Sequence, residues 1–159
     1  MNKATLIVGR FQPFHNGHVK IAEKARAIGN EVIIGLIRRD TLSKDNPFPH
    51  QFTAASILNR CPWVKIAYFK NGNLAECKEL VRKELGLKVT RLLCGPDRFA
   101  SYDLQAKKYD LDIDVLKVPE IYNIRGTAIR DAIKNNDTES FVRMMGSKRP
   151  MSAFKKYIK

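Results

Sequence analysis

The chain is poor in acid. Its 159 residues carry 16 Asp and Glu against 29 Lys and Arg, a formal net charge of +13. That balance disfavours cationic partners and favours anionic ones: nucleotides, nucleic acid or an acidic surface. Cysteine is scarce too. Cys61, Cys77 and Cys94 are odd in number, widely spaced and form no CxxC pair, which argues against a disulfide framework or a zinc site and leaves them as small buried hydrophobes. No apolar run approaches the ~20 residues of a membrane-spanning helix, so no membrane contact is expected. The opening "MNKATLIVGR" is too short in apolar residues for a signal peptide and lacks a cleavage pattern, which makes the cytoplasm the expected compartment. Internal repeats and low-complexity segments are absent.

What is present is alternation. "ATLIVG" (4–9), "EVIIGLI" (31–37), "VKIAYF" (64–69), "VTRLLCG" (89–95) and "DIDVLKV" (112–118) are short and rich in β-branched residues, and read as five strands. In "NGHVKIAEKARAI" the apolar Ile21, Ala22, Ala25 and Ile28 follow helical spacing, and Gly29 supplies a stop. In "NLAECKELVRKELG" Leu74, Cys77, Val81 and Leu85 form one face, closed by Gly86. Such alternation predicts an α/β domain, a parallel sheet with helices on both faces. Residues 38–51, "RRDTLSKDNPFPHQ", read as a long loop. Ligands of open parallel sheets bind beyond the carboxyl ends of the strands. Gly9–His18, Arg38–Gln51, Gly95–Arg98 and Ile121–Arg130 each follow a strand.

The decapeptide "GRFQPFHNGH" (9–18) carries the most chemistry. Gly9 permits a sharp turn and close approach of a ligand. Pro13 ends any strand. Asn16-Gly17 opens a helix, whose free N–H groups and positive dipole end attract anions. His15 and His18, three apart, share one side of that turn. Two imidazole donors above a helix N-terminus suit a phosphoryl group gaining negative charge. No Ser or Cys adjoins them as a nucleophile, and no third metal ligand is evident.

This stretch resembles the H-x-G-H signature of the nucleotidylyltransferase superfamily, and its Gly-Arg-Phe-Gln-Pro-Phe-His wording is similar to that of the archaeal-type nicotinamide mononucleotide (NMN) adenylyltransferases. A second signature of that family, of the form Ile-Ser-Gly-Thr-x-Ile-Arg, is matched by "NIRGTAIR" (123–130). The resemblance spans about Leu6 to Ile133. It implies a Rossmann-like, doubly wound parallel five-stranded sheet, and transfer of AMP from ATP to NMN, giving NAD and pyrophosphate. The NMN phosphate would attack the α-phosphorus in line, without a covalent enzyme intermediate.

The second signature also has a reading of its own. Thr127 is a good N-cap, and three residues later, where Glu or Gln is usual, stands Arg130. A cation in a first helical turn is disfavoured by up to about 1 kcal/mol, and an anionic ligand reverses that balance. By resemblance His15, His18 and Arg130 are the catalytic group. Gly9, Arg10, Phe11, Gly17, Gly95, Asp97, Arg98, Gly126 and Thr127 join Arg130 in binding ATP. Mg2+ is held through the ATP phosphates, with no protein side chain as metal ligand.

The pattern has departures. Arg125 replaces the family's Ser before Gly-Thr. Asn46-Pro47-Phe48 matches the start of the family's Asn-Pro-Phe-Thr-Ala-Gly-Glu-Arg, but the Glu-Arg is missing. Arg38, Asn46, Phe48, Trp63 and Arg125 are the expected acceptor-facing residues, with a core place for Trp63 an equal alternative. Gly95-Pro96-Asp97-Arg98 reads equally as a plain turn, and His50 as an exposed loop histidine. Residues 1–147 form the expected domain, and 148–159, "KRPMSAFKKYIK", a basic tail that is solvated or docked on a neighbouring subunit of a homo-oligomer. Rival readings are transfer to phosphopantetheine or FMN, a cytidylyltransferase, or a nucleic-acid-binding protein using the tail.

Overall fold

A computed structural model describes residues 1–119, 124–146 and 149–159. Strands and helices alternate as β1 (Lys3–Gly9), α1 (Asn16–Ile28), β2 (Glu31–Ile37), α2 (His50–Arg60), β3 (Lys65–Phe69), α3 (Leu74–Leu85), β4 (Lys88–Cys94), α4 (Pro96–Lys108) and β5 (Asp114–Lys117). Three helices follow: α5 (Gly126–Lys134), α6 (Thr138–Met145) and α7 (Met151–Lys155). The sheet has the order β3-β2-β1-β4-β5 and every pairing is parallel. This is the doubly wound Rossmann-like arrangement expected, and its winding reverses between β1 and β4.

Strand side chains alternate between two buried faces, which is why the strands read as near-continuous apolar runs. Along β1, Ile7 joins a core formed with Ile21, Ala22 and Ala25 of α1 and Ile57 of α2. Ala4 and Leu6 join the opposite core, with Leu74, Cys77 and Val81 of α3. Helix α1 stops at Gly29, whose φ of 98° lies in the left-handed region. The three cysteines are free and buried. Burial pushes their thiols up, to about 11 at Cys61 and Cys94 and about 12 at Cys77.

Two boundaries differ from the sequence reading. The long loop ends at Pro49, because α2 starts at His50, so His50 is helical. Strand β5 is four residues long, since Asp112 at φ 54° breaks the extended run. The C-terminal residues also need correction. Phe154 of α7 is 1% exposed and completes a third core with Phe48, Ile129, Ile133, Phe141 and Met145. Residues 149–159 therefore pack on their own domain: one aromatic face is buried while the lysines face outward. The expected boundary at 147/148 lies outside the described residues.

Candidate active site

The reversal of winding opens a crevice between the carboxyl ends of β1 and β4. A cavity of about 230 Å3 lies there, lined by Gly9, Arg10, Phe11, His15, His18, Gly95, Asp97 and Arg98 among others. Sequence positions 9–18 and 95–98 thus meet at one place, as a ligand site at the strand ends requires.

His15 is the N-cap of α1 and is 3% exposed. Its Nδ1 accepts the Gly17 N–H at 3.1 Å, and its own main-chain N–H donates to His18 Nδ1 at 3.2 Å. The two imidazoles so form a reciprocal capping box, with His18 in the place usually held by Glu or Gln. Each ring accepts on Nδ1, so the proton of each neutral ring sits on Nε2. The rings stack with centroids 3.7 Å apart, and Phe11 and Phe14 pack against His18. Burial pushes His15 down from 6.5 to about 4, against an opposing contribution from the Ile124 main chain. Burial and then the neighbouring His15 hold His18 well below 6.5. Both rings are therefore neutral N–H donors near pH 7.

The second motif folds onto this loop. Arg130 Nη1 donates to the Gln12 carbonyl at 2.7 Å, and Nη2 donates to Thr127 Oγ1 at 3.2 Å. Asp45 lies 3.8 Å from Nη2. Burial lowers the Arg130 pKa, and Arg10 is close enough to lower it further. Gly126 is demanded by this approach: a Cβ there would stand 2.8 Å from the Gln12 carbonyl oxygen. Neither α1 nor α5 has an acidic residue in its first turn, and α5 has no side-chain cap either, which leaves its positive end open to an anion. Arg125 pairs with Asp97 at 3.2 Å, joining the α5 start to the turn after β4. The N-cap of α5 is Arg125, with no side-chain cap bond, so the expected capping role of Thr127 is corrected: its hydroxyl faces Arg130 instead. Arg130 consequently sits beyond the first turn. Asn123 lies outside the described residues.

A larger open groove of about 1360 Å3 adjoins the crevice and shares Arg10 with it. Arg38 and Asn46 line it, together with Arg39, Asp45 and Lys70. Asn46 is 5% exposed and its Oδ1 is buried without a hydrogen-bond partner. Two acceptor-facing expectations are not met. Phe48 is 1% exposed inside the third core, so its ring has no free face for a ligand. Trp63 lies at the opposite end of the sheet, beside Lys3, Glu31 and Val32, with the Arg26 guanidinium 4.7 Å over its ring; it precedes β3, and the residues preceding parallel strands lie away from their carboxyl ends. Gln12 went unassigned in the sequence, although it is the one polar side chain in Phe11–Phe14, and a buried amide in such a run signals a structural clamp.

Comparison with known proteins places the chain among nucleotidyl-transfer proteins. A nicotinamide-nucleotide adenylyltransferase from Methanococcus aeolicus is 27% identical over 138 residues, covering 83% of this chain and 78% of that one. A bifunctional NMN adenylyltransferase/ADP ribose pyrophosphatase from Francisella tularensis shares the fold with a TM-score of 0.79 at 20% identity; the match covers 99% of this chain and 50% of that one, so this chain spans about half its length. A Plasmodium falciparum nicotinic acid mononucleotide adenylyltransferase complexed with NaAD shares it with a TM-score of 0.62 at 13% identity, covering 99% of this chain and 95% of that one. The cytidylyltransferase-like family model matches residues 6–150, nearly the whole sheet and every element of the crevice, and the chain belongs to that family.

Proposed function

We propose that this protein is a nicotinamide-nucleotide adenylyltransferase that moves AMP from ATP to NMN, releasing pyrophosphate. The observation that carries this reading is the pair of neutral imidazoles, stacked at 3.7 Å beside the crevice at the reversal point, on the loop that Arg130 grips from α5. The Methanococcus relative supports the choice of acceptor.

In this reading the triphosphate lies across the N-termini of α1 and α5. Thr127 and Arg130 hold its β- and γ-phosphates, and Arg10 reaches them from the shared wall. His15 and His18 donate through Nε2 to oxygens around the α-phosphorus, where charge grows as the acceptor phosphate attacks in line. Neutral donors held by stacking and capping need no reorganisation at that moment, and one such donor is worth ~2.7–4 kcal/mol. The side chains need only position and stabilise. Gly95, Asp97 and Arg98 face the nucleoside end, and Arg38 and Asn46 the acceptor.

Among the described residues no group of three or more His, Cys, Asp or Glu is gathered around a cation site. Asp45 and Asp97, which line the groove and the crevice, each face an arginine. That donor set fits a divalent ion held by the phosphates themselves. Mg2+ so bound neutralises phosphate charge. No helix among the described residues is long and apolar enough to cross a membrane; the cytoplasm is the compartment we propose. Exposed Leu104, Tyr109 and Leu116 on α4, after it and on β5 favour a homo-oligomer.

The test is pyrophosphate release from Mg-ATP with NMN, nicotinic acid mononucleotide, phosphopantetheine or FMN as acceptor. Turnover with NMN is expected. Release with phosphopantetheine and none with either pyridine mononucleotide would overturn the assignment.

A further inference from the structure

We infer that Gln12 is a positioning residue that registers the acceptor groove against the imidazole loop, an inference that rests on the adenylyltransferase reading above. Its side chain is 8% exposed. Oε1 accepts the Phe48 N–H at 2.9 Å and Nε2 donates to the Phe48 carbonyl at 3.1 Å. One amide thus satisfies both main-chain groups of a residue 36 positions away. Phe48 is otherwise enclosed by Phe52, Phe154 and Tyr157, and a buried peptide group in such surroundings requires partners. Only a side chain with a donor and an acceptor on one carbon serves both.

The consequence is directional. Phe48 lies two residues after Asn46, which lines the larger groove. Asp45, on the same wall, faces Arg130. The Gln12 carbonyl independently receives Arg130, so the main chain of Gln12 serves the triphosphate side and its side chain serves the acceptor side. Three residues later the same loop caps α1 with His15. The groove wall, the imidazole pair and Arg130 are therefore referenced to one residue. Changing the side chain alone releases the acceptor wall and leaves the carbonyl for Arg130.

Steady-state kinetics of the full chain test this, with Gln12→Met and Gln12→Glu. Gln12→Met keeps bulk and loses both bonds. Gln12→Glu keeps the bond from the Phe48 N–H and sets a carboxylate oxygen against its carbonyl. Both are expected to raise the acceptor KM and lower kcat about tenfold each, with the ATP KM within about twofold of wild type. Should Gln12→Met fail to fold, Gln12→Glu carries the test. Equal rises in both KM values, or a lowered Tm with wild-type kinetics, overturn the inference. A wild-type protein that turns over no pyridine mononucleotide removes the adenylyltransferase reading alone. Amide hydrogen exchange then decides: faster exchange across residues 41–48 in Gln12→Glu than in wild type supports the clamp, and unchanged exchange there overturns it.

Discussion

His18 Nδ1 accepts the main-chain N–H of His15 at 3.2 Å, while His15 Nδ1 accepts from Gly17. Each imidazole thus accepts a main-chain N–H at the start of α1 on Nδ1, which leaves the proton of each ring on Nε2. The capping role fixes the tautomer of each ring, and burial keeps both rings uncharged.

That arrangement sets a pH dependence of stability. His15 titrates near 6.5 when unfolded and at about 4 when folded, so between those values the unfolded chain binds more protons. Stability is complete above pH 6.5 and declines as pH falls toward 4, by at most about 3 kcal/mol for this group. Urea denaturation at stepped pH should show the midpoint falling over that window. His15→Asn, which retains a capping side chain, should flatten the curve.

Replacing His18 separates its two roles. His18→Ala should lower kcat by about 10²–10³ through the lost donor, with ATP affinity changed far less. The lost cap should separately cost about 0.5–2 kcal/mol of stability. Equal losses in turnover and ATP binding would argue against a transition-state role.

Gly126 lies where α5 meets the first loop. In Gly126→Ala the new methyl would stand 2.8 Å from a main-chain carbonyl, with Arg130 Nη1 at 3.0 Å. The backbone must move, at a cost of about 1–3 kcal/mol. ATP binding should weaken because Arg130 is displaced with it, as isothermal titration with a nonhydrolysable analogue would register.

Arg130→Ala should raise the ATP KM about tenfold or more while the acceptor KM moves much less, because a charge-assisted bond to phosphate is lost. The reverse order would mean that the triphosphate lies in the larger groove.

Phe154→Ala tests whether the basic C-terminal segment belongs to the fold. Its ring is 1% exposed and contacts Phe48, Phe52 and Phe141. Removing it should destabilise the protein by about 3–5 kcal/mol, read as a lowered denaturant midpoint. An unchanged midpoint would indicate a detached tail.

Much of this protein was legible in one dimension because its signals are local. The apolar runs mark the five strands, and Gly29 and Gly86 end helices where their positive φ is needed. That the loops bearing Gly, His and Arg lie at the carboxyl ends of the strands was legible as well. Thr127 was misread because capping depends on where a helix begins, and α5 begins one residue before it. Trp63 and Phe48 were misread because an aromatic side chain looks the same in a core, at a sheet's far end or over a ligand.

Amino-acid order alone determined the alternation, the parallel sheet and the two motifs, since side-chain period, turn chemistry and strand composition act over a few residues. Tertiary structure alone decided that Arg130 reaches Gln12 across 118 positions, that Gln12 holds Phe48, and that Phe154 closes the third core. Those contacts join segments whose separation along the chain bears no relation to their distance in space. The parallel sheet sets the loops after β1 and β2 side by side, and the helices that follow β5 pack back onto them.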